Sequence, residues 1–504
     1  MIPFAGFAYF GILLYVALPT LVLGAFRRAG RHWALFATLV FIVVQYWTPV
    51  RVHPKWMVHA FWFVAAWALF QAVIARSLLL LRARGSGRLA FYSAVGASLL
   101  PLFLAKAVPL FSTSQFGFLG ISYVTFRALD LIFCIQDRVV TSFALPEYFG
   151  FLLFFPTISS GPIDRFRRFR TDWHKTRTRA EFMDDLGEGM HRIFRGFLYK
   201  FILAYLIERY WMNPAANRPG LLGTAGYMYA YTFYLFFDFA GYSAFAIGLG
   251  YLFGIHTPEN FDRPFLARNI RDFWNRWHIS LSFWFRDHVY MRFVFAAMRG
   301  KWFKNKHTAA ILAYYLSFGL MGIWHGIAPH YILYGLYHGT LLSGYDIFSR
   351  WNKQRQLWKS GPLWTVASVL LTFHAFAFGL LLFSGHMTSS TTSTMPVMSS
   401  MSGKTRTRGV LETVSPSVIS GWAWDEKNPN TPVEVVIMEN KHLIGTMLAD
   451  QFRQDLAIEG RGNGRHGFTF TPPPALRDGN RHLVTVLTGR KPLAGSPWPL
   501  NPDN

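Results

Sequence analysis

A single cysteine, Cys134, leaves this chain no partner for an intramolecular disulfide. Its place in an apolar run reads as packing rather than chemistry. Charge is scarce as well. Asp, Glu, Lys and Arg make up 15% of the residues, against about 25% in a soluble protein, so much of the chain has little water-facing surface. Carboxylates are the scarcer kind, with 26 Asp and Glu against 50 Lys and Arg and a net charge of +24. There is no His-Glu-x-x-His and no Cys/His cluster to hold a metal. There is no nucleophile elbow either: Gly241-Tyr242-Ser243-Ala244-Phe245 lacks the final glycine. The acidic pair Asp184-Asp185 reads as solvated loop surface. The basic excess does not indicate nucleic acid, because Lys and Arg sit in short loops between apolar stretches, where the positive-inside rule expects them.

What is abundant is apolar surface. The chain is 52% hydrophobic and 18% aromatic. Stretches of about 20 apolar residues, enough to cross about 30 Å of hydrocarbon, recur at Gly6–Phe26, Trp33–Trp47, Met57–Leu81, Leu89–Phe111, Phe116–Ile135, Ile193–Trp211, Tyr227–Phe253, Ala309–Trp324, Tyr331–Phe348 and Trp364–Phe383. Multi-pass insertion in the cell membrane, among its lipids, follows. Arg27, Arg28 and Arg31, then Arg76, Arg82, Arg84 and Arg88, mark cytoplasmic turns, with the uncharged N-terminus outside; Arg51 and Lys55 fit this orientation poorly. Tyr148–Gly161 is apolar but short, holds Pro156 and two glycines and is followed by Arg165, Arg167, Arg168 and Arg170. It reads as re-entrant, a form tolerated at membrane depth only when buried in protein or lining a wet cavity, and so as a wall of a central funnel. Arg263–Lys306 mixes aromatics with arginines and fits amphipathic helices at the cytoplasmic boundary.

Composition changes after His386. Residues 1–386 form the membrane part, 387–408 a Ser/Thr/Met-rich linker, and 409–504 a small β-rich soluble domain. In that domain Val433–Met438, Gly467–Thr471 and Leu483–Leu487 are the strand candidates, with turns at Asn428–Pro429, Gly462–Asn463–Gly464 and Asp478–Gly479. An even number of passes places it outside the cytoplasm. Its Trp422 and Trp424 read either as sandwich core or as sugar-stacking faces.

Chemistry concentrates in two histidine motifs. Phe273-Trp274-Asn275-Arg276-Trp277-His278 leads into Ser280-Leu281-Ser282-Phe283-Trp284-Phe285-Arg286-Asp287, and Gly322-Ile323-Trp324-His325-Gly326 closes an apolar span. An ionisable group at membrane depth is functional by default. An imidazole can take a proton from an attacking hydroxyl and return it to a leaving thiolate, while Gly326 would admit backbone or substrate. The bland alternative is a neutral histidine hydrogen-bonded between helices, or for His278 a boundary residue. His330 and His338 read as boundary or packing residues.

These motifs resemble those of the membrane-bound O-acyltransferases, most closely the DltB-type teichoic-acid D-alanyltransferases. That family has an intramembrane histidine in a Trp-His-Gly setting and a second polar position upstream, which is histidine in this branch. Leu119-Gly120-Ile121-Ser122-Tyr123 with Thr125-Phe126-Arg127, Phe155-Pro156-Thr157 with Ser160-Gly161-Pro162-Ile163-Asp164-Arg165, and Phe236-Phe237-Asp238-Phe239-Ala240-Gly241-Tyr242-Ser243 extend the likeness over about residues 1–385. The resemblance implies an all-α polytopic fold of about ten to twelve transmembrane helices with re-entrant and amphipathic helices, to which this chain adds its β-sandwich. It implies a D-alanyl thioester on the phosphopantetheine of an acyl carrier protein as donor and no tightly bound cofactor or metal. The acceptor is a hydroxyl of a glycan or teichoic-acid-like polymer. His325 is then the base and His278 its helper near the thioester. Met291, Arg292 and Val294 fall where the carrier docks, and the funnel is expected to be lined by Pro156, Ser160, Gly161, Asp238 and Ser282. The appended domain departs from the branch and leaves the acceptor open. Polysaccharide O-acetylation on the same fold is the near alternative, and a non-catalytic transporter or scaffold the distant one.

Overall fold

In the computed structural model the described residues are 3–4, 7–25, 31–47, 49–53, 56–85, 87–111, 117–358, 361–387, 407–415, 418–426, 428–439, 442–472, 476, 482–488 and 491–500. They fall into two compact units, Met1–Thr394 and Met395–Asn504. Most of the expected linker, and the expected turn at Asp478–Gly479, lie outside the described residues, as does Lys55.

The first unit is helical. In chain order it holds α1 (Phe7–Ala25), α2 (Arg31–Tyr46), α3 (Ala60–Ala83), α4 (Arg88–Phe111), α5 (Ile121–Gln136), α6 (Leu145–Leu153), α7 (Phe166–His174), α8 (Arg179–Phe197), α9 (Tyr205–Ile207), α10 (Asn213–Ala216), α11 (Leu221–Phe253), α12 (Ile270–Trp274), α13 (Ile279–Phe285), α14 (Met291–Arg299), α15 (Lys306–His325), α16 (Pro329–Arg355) and α17 (Pro362–Ser384). Every expected apolar run is helical over most of its length. Among the described residues, α3, α11, α17 and Arg88–Ala107 of α4 are individually long and apolar enough to cross a membrane, and Tyr9–Val22 and His32–Tyr46 are shorter apolar helices.

Three boundaries differ from expectation. The span predicted from Met57 starts at Ala60, because the β-branched stretch before it pairs as an antiparallel hairpin, β1 (Pro49–His53) with β2 (Trp56–His59). The span predicted from Phe116 becomes the 16-residue α5, starting at Ile121 behind Gly120, whose φ of 90° suits glycine. The run predicted at Ile193–Trp211 belongs to a helical stretch that begins at Arg179. A capping box nucleates it there, with Thr178 Oγ1 accepting from the Glu181 amide and Glu181 accepting from the Thr178 amide. That amide, with Lys175, pushes the Glu181 carboxyl down to about 2. The neighbouring Asp185 is buried and paired with Arg177 at 2.9 Å and His256 at 2.8 Å. It is therefore a structural ion pair rather than solvated surface.

The segment after α6 is irregular and fully enclosed: residues 151–159 and 161–164 are all buried. Carbonyls left open where α6 ends must find donors. Arg127, on α5 and 1% exposed, supplies them, donating to the carbonyls of Phe151 and Leu152 at 3.3 Å and of Thr157 at 2.7 Å. One turn on, buried Asp130 accepts from the Phe166 amide at 2.9 Å, from Arg165 at 2.9 Å and from His288 at 2.9 Å. Two charged groups in an apolar helix thus tie down both ends of the re-entrant segment.

The second unit is a β-sandwich. β3 (Thr407–Val414), β4 (Ile419–Asp425), β8 (Arg465–Phe470) and β7 (Gln451–Phe452) form one sheet in the order β3-β4-β8-β7. β10 (Lys491–Pro492), β9 (His482–Thr488), β5 (Val433–Glu439) and β6 (His442–Ala449) form the other, with β11 (Trp498–Leu500) also on β9. Alternate residues of both sheets, among them Leu411, Ile419, Val435, Ile437, Phe468, Val484 and Val486, meet in one core. Trp422 alternates with the core residues Ile419 and Ala423 and so lies on the other face of β4, where it is 7% exposed under the Arg461 guanidinium, 3.8 Å over its ring. It is neither sandwich core nor an open sugar platform.

Candidate active site

The two histidines reach one cavity from different directions. His278 is the last of the four residues between α12 and α13, at the N-cap of α13. Its φ of 44° and ψ of 50° are left-handed, a conformation that costs a non-glycine residue about 1 kcal/mol or more and clusters at functional sites. The Ile279 amide, donating to the Asn260 carbonyl at 3.0 Å, and an antiparallel bridge between Phe261 and Trp277 hold the backbone there. The imidazole is 5% exposed, edge-on to Phe239 at 4.7 Å and stacked on Tyr123 at 6.4 Å. Its Nε2 is buried without a hydrogen-bond partner among the described residues. A buried polar atom without a partner calls for an explanation, and here it lines a cavity.

His325 ends α15. Its ring packs edge-on to Phe383 at 4.8 Å and against Trp324 at 4.5 Å. α15 and α16 approach closely through glycines: a Cβ at Gly322 would sit 2.5 Å from the Tyr331 carbonyl oxygen. Gly326 serves the same packing. A Cβ there would meet the Tyr331 ring at 2.5 Å, so the space beside Gly326 is occupied by protein rather than kept for substrate. Lys106 Nζ, from α4, donates to the Trp324 carbonyl at 2.5 Å, tying down the last turn of α15 one residue before His325.

Between them lies a cavity of about 270 Å³ that both histidines line. It has room for a small acyl group where two reacting ends would meet. Ser160 and Asp238 are on its wall with Tyr123 and Tyr242. Tyr242 hydrogen-bonds Ser159, and Asp238 is ion-paired with Lys200. Trp274, Trp277 and Phe383 complete an aromatic surround. Three residues expected on the funnel wall are not on this one. Pro156 is buried in the turn Phe155–Thr157; Gly161 lies so close to that turn that a Cβ would be 2.5 Å from Thr157 Cα; and Ser282 Oγ donates to the Trp277 carbonyl at 3.1 Å. Each shapes the backbone that carries the wall. His338 lies apart from the cavity, fully buried and edge-on to Trp274 at 5.1 Å.

Met291, Arg292 and Val294 sit on α14, half-buried. Arg292 is ion-paired with Asp137 and lies 4.4 Å over the Phe133 ring. The more open apolar residues of this helix are Phe295, 58% exposed, and Met298, 57% exposed. With Met291 and Val294 they follow the i, i+3, i+4, i+7 spacing of one helix face. Reading the stripe to its end would have found them. Lys106, a lone cation in an expected span, was legible in the same way.

A cavity inside a helical membrane unit, lined by two histidines and the carboxylate of Asp238, is a candidate membrane-embedded group-transfer site. The family model of MBOAT, the membrane-bound O-acyltransferase family, matches residues 32–385, and the chain belongs to that family of acyltransferases. It is 43% identical over 396 residues to the teichoic acid D-alanyltransferase of Bacillus subtilis (strain 168), covering 76% of this chain and 98% of that protein. To the teichoic acid D-alanyltransferase of Streptococcus thermophilus it is 40% identical over 399 residues, 76% of this chain and 95% of the relative. With the "Probable alginate O-acetylase AlgI" of Pseudomonas aeruginosa it shares 34% identity over 228 residues, 45% of this chain and 42% of the relative.

Proposed function

We propose that this protein transfers D-alanine from the phosphopantetheine thioester of an acyl carrier protein to a hydroxyl of a teichoic-acid-like polymer at the outer face of the membrane. The observation that carries this reading is the meeting of His278 and His325 in one small aromatic-walled cavity. His325 takes the proton from the acceptor hydroxyl as its oxygen forms a bond to the thioester carbonyl carbon. The C–S bond then breaks, and the departing thiolate takes the proton back from the imidazolium. His278, with a free Nε2, hydrogen-bonds the thioester end and orients it. Tyr242 and Ser160 border the same space and restrict how the acyl group lies. The carrier docks on the α14 stripe of Met291, Val294, Phe295 and Met298, with Arg292, paired with Asp137, at its edge. The 1–386, 387–408 and 409–504 division, with the last part outside the cytoplasm near the acceptor, belongs to the same proposal.

The test is single-turnover transfer from a D-alanyl-loaded carrier to a polyol-phosphate acceptor by the protein reconstituted in lipid. His325→Ala is expected to lower the rate about 10²–10⁴-fold, the usual worth of a general base, with insertion unchanged. An unaltered rate removes His325 from the mechanism. Acetyl transfer to a polysaccharide is the second reading, favoured by the partial likeness to the alginate O-acetylases. Presenting acetyl-loaded and D-alanyl-loaded donors side by side separates the two.

A further inference from the structure

A second cavity, of about 440 Å³, lies on the other side of α11 from the histidine cavity. Asp238, Phe239 and Tyr242 of α11 face the histidines, whereas Phe236, Ala240, Ala244 and Ile247 form an apolar wall here. Opposite that wall stand Arg192, Arg195 and Arg263. The acidic residues of the lining do not neutralise all three. Arg192 is held by Glu188 at 2.5 Å and by Glu259, and Asp262 lies 3.9 Å from Arg276. Arg195 and Arg263 have no side-chain partner among the described residues. Arg263 is also held in a left-handed conformation, with φ of 46° and ψ of 54°. The Asp262 amide, donating to the Arg276 carbonyl at 3.0 Å, fixes the backbone just before it. Backbone strain in a non-glycine residue at a cavity rim points to a functional constraint.

Two unpaired guanidiniums facing an apolar wall, beside a helix long and apolar enough to cross a membrane, match one ligand chemistry. Arginine forks bind phosphate oxygens in pairs, and basic pockets between membrane helices take anionic head groups. We infer that this cavity binds the phosphate headgroup of an anionic phospholipid, with Arg195 and Arg263 as its ligands and the α11 wall against its glycerol and first methylenes. The apolar wall favours a lipid over the phosphate of a protein-borne arm, which has no chain of methylenes to lay there. The site borders the catalytic unit directly. Asn260, on its lining, donates to Ser243 at 3.1 Å and accepts from Ser280 at 2.6 Å, two residues beyond His278.

The experiment is lipid retention. The full chain is reconstituted in nanodiscs of mixed phosphatidylglycerol and phosphatidylcholine, extracted and stripped with detergent, and the lipid kept is counted by native mass spectrometry. The parent should retain one phosphatidylglycerol in preference to phosphatidylcholine. The Arg195→Gln/Arg263→Gln double variant should hold it about tenfold or more weakly, while the charge-matched Lys353→Gln/Arg355→Gln control at the end of α16 retains it. Arg263→Gln alone, at an exposed residue, carries the same comparison if the double variant inserts poorly. Equal retention by parent and variants overturns the inference. So does unchanged lipid binding with a raised KM for a carrier-borne donor in pure phosphatidylcholine, which would make the cavity a reader of donor phosphate.

Discussion

Replacing Lys106 by methionine keeps the length and apolar bulk of the side chain and removes one charged donor. In the native structure that donor meets the Trp324 carbonyl at 2.5 Å, at the C-terminal end of α15 where the helix dipole is negative. A hydrogen bond to a charged group contributes about 1.5–3 kcal/mol. If the loss is felt as displacement of His325 in the transition state, each 1.36 kcal/mol is tenfold, so Lys106→Met should lower kcat about 10- to 150-fold. KM for the carrier-borne donor should barely move, because α14 is untouched. Lys106→Arg, which can still reach a carbonyl as a cation, should recover part of the loss. Single-turnover rates with thermal unfolding in the same detergent distinguish positioning from general destabilisation. A kcat equal to that of the parent, or a loss that follows the melting temperature in both variants, refutes the reasoning.

Two further outcomes follow from the surface and the domain division. Val294→Asp sets a charge into the α14 apolar stripe, where an unpaired carboxylate is costly to desolvate. Carrier capture should weaken at least about tenfold with turnover of a small pantetheine thioester preserved, and undiminished capture would move docking off this helix. Ending the chain at Ser390 removes a unit with its own hydrophobic core, so the membrane unit should still insert and accept acyl groups. Transfer to polymer should fall more than transfer to a small soluble acceptor, since a tethered module raises local concentration for the polymer alone; equal losses would argue against acceptor binding by the sandwich.

Helix placement was legible because the signal is local. A run of apolar residues must leave water wherever it lies, and α1, α2, α4 and α17 coincide closely with their runs. The capping box at Thr178 and Glu181 is equally local and marks the start of α8, which hydropathy does not show because the first turns of that helix are charged. In the sandwich, β-branched and aliphatic residues exposed β5 and β9, whereas β3, with a glycine and the exposed polar residues Arg408, Glu412 and Thr413, was not marked as a strand.

The histidine motifs and the membrane class were determined by the sequence alone, since both rest on residue types at short spacing. Their convergence on one cavity was decided by tertiary structure. Lys106 and Trp324 are 218 residues apart in the chain, Arg127 reaches carbonyls 24 to 30 residues on, and Asp130 meets His288 across 158. No local pattern encodes such partnerships. They form because a low-dielectric interior makes every unsatisfied polar group costly, and folding brings together the groups that satisfy one another. Among the described residues His278 Nε2 and the guanidiniums of Arg195 and Arg263 are left without a partner, and which groups stay open to a ligand emerges only after every other contact is made.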